Sequence, residues 1–336
     1  MKFRMSLFTF LFAAVAFFCA STPASAQETF TLYWSEYPSW SAFDAIPRSI
    51  LDGREGEMGS IEKTYNVDLK LVEADYDTCL TAYAAEQADF VCITNMDVLN
   101  PSLSVQSVAI LPTSRSNGAD ALIVTNDIKD ITDLRGKQVY GLAATVSDYA
   151  FYRFVQQNDP EKSHMYTFTN MDPGSAAINM QQGEDRFKAI VVWNPFVINT
   201  LAARKDVRVL HSSAEIPNEI IDMVVANRRA LDRPGGDKAA KAIIASFYEC
   251  NRLLADPATS DETLIAIGEK FSNLGLDSMR QVVRDTLFYS SPDEALALYE
   301  GEELKATMTR VVDFCFTQAI IDEKPPDCLS GFEGNQ

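Results

Sequence analysis

The chain has almost no histidine: of 336 residues only His164 and His211 carry an imidazole. A three-histidine metal site is therefore impossible within one chain, which removes many metal-dependent hydrolases. Bases are scarce too, with 29 Lys and Arg against 47 Asp and Glu, a formal charge of −18. So acidic a surface repels phosphate backbones and anionic lipid, and no nucleic-acid partner is expected. Catalytic motifs are missing: there is no GxSxG, HExxH, GxxxxGKS/T or CxxC, and no GxGxxG after a strand. His164 precedes a strand in a polar stretch and His211 ends one, settings without catalytic character. These lacks point away from an enzyme, and neither a metal nor a cofactor is expected.

What is present is an ordinary globular composition, 47% hydrophobic and 10% aromatic, long enough for about two domains. The N-terminus has a separate character. Lys2 and Arg4 precede an apolar, uncharged run over residues 6–20, and Ala24-Ser25-Ala26 places a small-x-small pattern before Gln27. The run falls short of the about 20 residues that a spanning helix needs, so residues 1–26 read as a cleavable secretory signal. Cys19 lacks the small preceding residue that lipid anchoring expects. The segment holds two bases and no acid, so its removal leaves 27 bases against 47 acids and a charge of −20. Five cysteines stay: Cys79, Cys92, Cys250, Cys315 and Cys328. The number is odd, so at least one thiol is left over. In an oxidising compartment one or two disulfides are expected, with Cys79–Cys92, Cys315–Cys328 and Cys250–Cys315 all open as pairs.

Hydrophobic periodicity gives the organisation. Residues 29–34 (TFTLYW) alternate as a first strand, and SEYPSW after them reads as a loop. A helix is expected within 42–51, limited by Pro47, then a strand over 67–72. A helix over 77–86 with Asp77 or Thr78 as its N-cap leads to strands over 88–93 and 107–111. From Ala119 the alternation starts afresh, with strands at 121–124, 138–142, 166–169 and 189–192. Helices at 148–157, 175–181 and 196–203 lie between and after them, with a glycine-stopped turn at 131–137. After a strand at 220–226, residues 237–318 read as nearly all helical, with Ala240, Ile243, Phe247, Cys250 and Leu254 on one stripe. The last helix is expected over 302–321 and the tail 331–336 reads as disordered.

This pattern predicts an α/β fold of two lobes with mixed, mainly parallel sheets and extra C-terminal helices. The first lobe would take residues 27–115 and 216–336, and the inserted second lobe residues 116–215. Segments 114–117 and 211–217 are the candidate hinges. Such folds bind ligands between lobes, at the carboxyl ends of strands.

Four strand ends are chemically distinctive. The first holds Trp34, Glu36, Tyr37 and Trp40; two tryptophans left in water forgo much apolar burial, so they pack on a lobe or on a ligand. Thr94 and Asn95 close another strand. Thr145, Ser147, Asp148 and Tyr149 open a helix, where hydroxyls and free N–H groups either grip an oxyanion or simply cap the helix. Trp193, before Asn194-Pro195, ends the fourth. These eleven residues are the candidate ligand-binding set.

Residues 118–124 (GADALIV) followed by 131–139 (ITDLRGKQV) resemble the GADALVV…DLKGKKVA signature of type II periplasmic solute-binding proteins, in the nitrate/sulfonate/taurine-type branch. Residues 142–149 match that branch's loop of small and hydroxyl residues, and 189–195 (AIVVWNP) its strand end; the likeness spans about 29–230. It implies a monomeric periplasmic receptor that closes on one small-molecule solute and docks on an ABC permease in the inner membrane. It also implies that Trp34, Glu36, Tyr37, Thr94 and Asn95 serve from the first lobe, and Thr145, Ser147, Asp148, Tyr149 and Trp193 from the second. One departure bears on specificity: sulfonate-binding members often carry histidine where Asp148 stands. A carboxylate ~4 Å from an anion costs about 4 kcal/mol at moderate effective dielectric, and Arg115 is the one candidate compensator. Glu36 and Asp148 beside aromatic rings suit an amine instead. The expected solute is therefore a small amine-containing or zwitterionic molecule, taurine-like ones included. Alternatives are a receptor for a pyrimidine- or thiamine-precursor-type aromatic solute stacked on Trp34, Tyr37 or Trp193, and a solute-sensing domain. An enzyme of the same fold is a further class, disfavoured by the signal and the lack of reactive histidine. The signal predicts a mature chain beginning at Gln27, which intact-mass measurement of the secreted protein checks; a mass retaining Met1 would refute it.

Overall fold

The computed structural model describes residues 28–325; the signal segment, Cys328 and the 331–336 tail lie outside the described residues. Strict alternation builds β1 (Thr29–Trp34), whose Phe30, Leu32 and Trp34 are buried while the residues between them are half-exposed. Asp68–Glu73 forms β2, Phe90–Thr94 β3 and Ser107–Ser116 β4. The chain then crosses to β5 (Asp120–Thr125), β6 (Gln138–Gly141), β7 (Thr167–Asn170), β8 (Ala189–Trp193) and β9 (Val207–Ser212). It returns as β10 (Ile221–Asn227) and adds a short β11 (Thr286–Phe288). The six-stranded sheet runs β11-β4-β10-β3-β1-β2 and the five-stranded sheet β7-β6-β8-β5-β9. Every residue of β3, β5, β8 and β10 is buried, as continuous apolar runs covered on both faces require.

The sheets are mixed, but parallel pairing does not dominate. β1 pairs in parallel with β2 and β3, and β6 with β7 and β8. The crossing strands reverse the sense: β10 lies antiparallel between β3 and β4, and β5 antiparallel between β8 and β9. A strand that returns from the other lobe enters its sheet from the opposite end, which the local alternation of strands and helices does not encode.

Several boundaries move for identifiable reasons. SEYPSW is not all loop: the helix Pro38–Ala45 starts inside it, with Pro38 at the first helical position where a missing N–H is harmless. The next expected helix is Tyr76–Ala84, with Asp75 rather than Asp77 or Thr78 at the N-cap. Residues 237–318 break into helices Gly236–Ala255, Ser260–Lys270, Leu276–Asp285, Pro292–Glu300 and Glu302–Thr317, interrupted by β11. The Gly236–Ala255 helix buries Ala239, Ala240, Ile243, Phe247 and Cys250 on one face, as its periodicity requires. Cys79, Cys92, Cys250 and Cys315 are all buried free thiols, so neither Cys79–Cys92 nor Cys250–Cys315 is a disulfide; each fills core space as a small hydrophobe, and burial pushes the Cys79 and Cys250 thiols up to about 12. Among the described residues no helix is long and apolar enough to cross a membrane.

Two segments link the sheets and lie side by side. Ser116 Oγ is 2.7 Å from Ser213 Oγ, and the Gly118 N–H donates to Ser213 Oγ at 2.7 Å. The second segment also carries Glu219, whose carboxylate accepts from the Tyr149 hydroxyl at 2.7 Å and from Arg153 Nε and Nη2 at 2.7 Å. Tyr149 and Arg153 belong to the helix Val146–Asn158 of the five-stranded lobe, and both pack on Phe314 of the C-terminal helix. Burial alone would raise the Glu219 carboxyl, but the Arg153 and Tyr149 hydrogen bonds outweigh it and hold the acid below its ordinary range. Glu219→Ala would leave the half-buried Arg153 guanidinium and the Tyr149 hydroxyl without their shared carboxylate, and a loss of about 2 kcal/mol is expected in urea denaturation.

Candidate functional site

The cleft between the lobes has a volume of about 530 Å³. Its walls come from the end of β1, the β2–Tyr76 segment, the loop after β6, the start of the helix Pro173–Gln182 and the end of β8. Five acids line it: Glu36, Glu73, Asp75, Asp77 and Asp172, together with Tyr76, Trp193 and Phe196. No lysine or arginine is among the lining residues. Burial, then the charges of Asp44 and Glu36, push the Glu73 carboxyl up, with Lys270 opposing. Lys270 itself is held by Asp44 at 2.6 Å.

Behind Tyr76 lies a second tier of acids, fully out of water. The Tyr76 hydroxyl accepts from the Thr94 N–H and donates to Asp97 Oδ2 at 2.6 Å. Asp222 stands in the middle of the six-stranded sheet, opposite Thr94 on β3 and Ser114 on β4, and the Ser114 hydroxyl donates to it at 2.6 Å. Asp120 opens β5 of the other lobe, opposite Trp193. Burial pushes Asp97 up to about 7 and Asp120 up to about 6; Asp222 is raised too, by burial first and then by the charges of Asp120 and Asp97, against the Ser114 and Tyr37 hydrogen bonds. Among the described residues none of the three makes an ion pair.

The Tyr37 hydroxyl faces Asp222, and burial first, then the charges of Asp222 and Asp120, push it up. Ser35 Oγ, Trp40 Nε1, Ser147 Oγ and both side-chain polar atoms of Asn194 are buried and unpartnered. Buried polar atoms without protein partners are rare in folded proteins, and ordered water is the ordinary way they are met. The helix start at Val146 is already served by protein charge: its N–H supports the Asp97 carboxylate, and Asp148 Oδ2 accepts from the Ala144 N–H at 2.9 Å. Ala144 holds that turn with a left-handed φ of 56°, an uncommon conformation for a residue with a Cβ.

The structure brings together Glu36, Tyr37, Trp40 and Trp193 from the sequence-based set, while Ser147 is buried at the start of the helix Val146–Asn158. Glu36 and Trp193 line the cleft; Tyr37 and Trp40 sit in the tier behind, Trp40 stacked on Tyr76 at 5.5 Å. Thr94 lies beside Tyr76, and its hydroxyl accepts from the Asp97 N–H. Asp148 caps its own loop, with Oδ1 buried and unpartnered. The Thr145 hydroxyl donates to the Leu142 carbonyl. Trp34 is 1% exposed in the core of the first sheet and is not part of the cleft wall. Asn95 is fully engaged, donating to the Glu219 carbonyl and accepting from the Ile221 N–H. Tyr149 belongs to the Glu219 contact and a separate groove. Arg115, the candidate compensating base, donates to Asn218 and lines another groove altogether.

Sequence reasoning missed Tyr76, Asp97, Asp120 and Asp222. One signal was readable: Asp222 is the lone charge in the apolar run IIDMVVA, and a buried charge in a central strand needs a reason. Neither a scan of protein-family models nor a search of the curated proteins finds a match. Solved structures do match in fold. The alkanesulfonate-binding protein SsuA of Xanthomonas axonopodis pv. citri, bound to MOPS, is similar with a TM-score of 0.69 and 12% identity, over 89% of this chain and 96% of that one. The aliphatic sulphonate-binding SsuA of Escherichia coli gives 0.66 and 16%, over 89% and 90%. The nitrate-binding NrtA of Synechocystis gives 0.65 and 10%, over 91% and 85%. The chain thus has the two-lobed fold of the periplasmic solute-binding proteins in that branch.

The raised acids predict a pH dependence whose sign is fixed. They hold protons that the unfolded chain releases above about pH 4, so their contribution to stability is full below that range and is lost as pH rises through 6 and 7. Tyr37, Tyr76, Cys92, Cys315 and Tyr289 are the other titratable groups facing them, and burial raises all five. The urea midpoint of the ligand-free protein should fall from pH 5 to pH 8, and Asp120→Asn should reduce that fall by about 1 kcal/mol.

Proposed function

We propose that this chain is the periplasmic receptor of an ABC-type importer and captures a small organic cation, an amine in the simplest case, between its two lobes. The observation that carries this reading is the absence of any lysine or arginine from a cleft walled by five acids, with three more carboxylates behind it. Desolvated carboxylates without a counter-charge hold their protons or bind a cation, and a solute that brings the charge relieves their mutual repulsion. An anion gains nothing here. The Val146 helix start, the natural oxyanion site, already faces Asp97.

A taurine-like zwitterion is served at its ammonium end only, since no base lines the cleft for the sulfonate. A flat aromatic solute is less favoured, because Tyr37, Trp40, Tyr76 and Trp193 pack on one another rather than presenting a slot. The acids come from both lobes, Asp97 and Asp222 from residues 27–115 and 216–336, Asp120 from residues 116–215. A bound cation would therefore bridge the lobes and stabilise the closed state by its differential affinity, with 114–117 and 211–217 as hinges. The remaining parts of the reading are export through residues 1–26, a monomeric non-catalytic role, and an inner-membrane permease as partner, with no nucleic acid bound. Mass spectrometry of ligand co-purified with the native protein, followed by calorimetry, tests it. Small amines are expected to bind at micromolar levels or better; tight binding of nitrate or a plain alkanesulfonate, with no amine bound, would sink the proposal.

A further inference from the structure

The five acids that line the cleft bear on how many charges the solute carries, an inference that rests on reading the cleft as a cation site. We propose that the solute is a linear diamine or a longer polyamine. One ammonium sits among Glu36, Glu73 and Asp75 on one wall and another at Asp172 on the opposite wall, with the methylenes lying along the rings between them.

The acids divide between the two lobes. Glu36 follows β1, and Glu73, Asp75 and Asp77 lie where β2 passes into the helix Tyr76–Ala84, all in the six-stranded lobe. The Glu36 charge helps to push the Glu73 carboxyl up, so these two are near neighbours. Asp77 complements the helix dipole, an ordinary role for an acid in a first turn. Asp75 has no such role: it holds the N-cap position, but its side chain makes no cap bond. Asp172 stands alone on the wall of the five-stranded lobe, where Oδ1 accepts from the Ser175 N–H at 2.8 Å and Oδ2 is left over. Among the described residues none of the five acids forms an ion pair.

Between the two groups the lining is apolar. Asp75 and Asp77 flank Tyr76 in the chain; Tyr76 meets Trp193 edge-on at 5.5 Å, and Trp193 meets Phe196 at 6.3 Å. Phe196 leads on to Asp172. A side chain added at Gly174 would lie 3.3 Å from Asp172 Oδ1 and 3.4 Å from Phe196 Cε1, so carboxylate and ring are neighbours there. The rings thus form a strip from one acid group to the other, with Leu142 and Pro173 beside it. A single ammonium meets one wall and leaves the other charged and unpaired, whereas two ammoniums joined by methylenes meet both. Ser35, 4% exposed, lines the same cleft, and its Oγ, without a protein partner, can accept from an ammonium. A divalent metal ion would place both charges at one point, but among the described residues no group of three or more His, Cys, Asp or Glu is placed to hold one.

Calorimetry at pH 8 on the full exported chain tests this with putrescine, cadaverine and hexamethylenediamine against butylamine, pentylamine and hexylamine, which keep each carbon chain and lose one ammonium. At least one diamine is expected to bind about tenfold more tightly than its monoamine counterpart, the worth of one added charge-assisted bond. Asp172→Asn keeps a residue that caps helices, and with its fold verified by circular dichroism it should narrow that ratio about fivefold or more. Equal binding within every pair, or an unchanged ratio in Asp172→Asn, overturns the inference and leaves the cation reading standing. Binding by none of these amines overturns that reading and this inference together.

Discussion

Three carboxylates kept out of water where two lobes meet, with no base beside them, are the constraint on which the rest of this structure depends. Each would prefer hydration or a counter-charge, and the fold supplies neutral donors instead: the Tyr76 hydroxyl and the Val146 N–H to Asp97, the Ser114 hydroxyl to Asp222. The mutual repulsion shows in the way Asp120 and Asp97 push Asp222 upward. A sheet does not hold such a residue for packing, since an apolar side chain of similar size would fit β10 at lower cost.

Structures of this fold include proteins described as binding alkanesulfonates and nitrate. In this chain the start of the helix Val146–Asn158, whose free N–H groups would suit an anion, has protein carboxylates from Asp97 and Asp148 at its turn, so its partial positive charge is met from within.

Much of the architecture could be read along the chain because it is written in local periodicity. The strand Thr29–Trp34 and the helix Phe196–Ala203 appear where alternation and the 3.6-residue stripe put them. Sheet sense was less legible, since the antiparallel pairing of β10 depends on where a distant segment re-enters. The cleft was legible in part: Glu36 and Trp193, at two strand ends, line it, and Tyr37 and Trp40 pack behind Tyr76. The buried acids were not, because Asp97, Asp120 and Asp222 lie far apart in sequence and meet only through the strand order β4-β10-β3 and the crossing to β5. Asn95 and Tyr149 mislead for the mirrored reason. Their polar atoms are satisfied by Glu219 and Ile221, more than sixty residues away, which no local pattern announces.

The Glu219 contact has a mechanical meaning. A carboxylate on one connecting segment grips Tyr149 and Arg153 of the opposite lobe through short, directional bonds, and Phe314 backs both. Such a grip ties three parts of the chain at one point, the connecting segment, the helix Val146–Asn158 and the C-terminal helix, so a change of register in any one of them is felt at once by the other two.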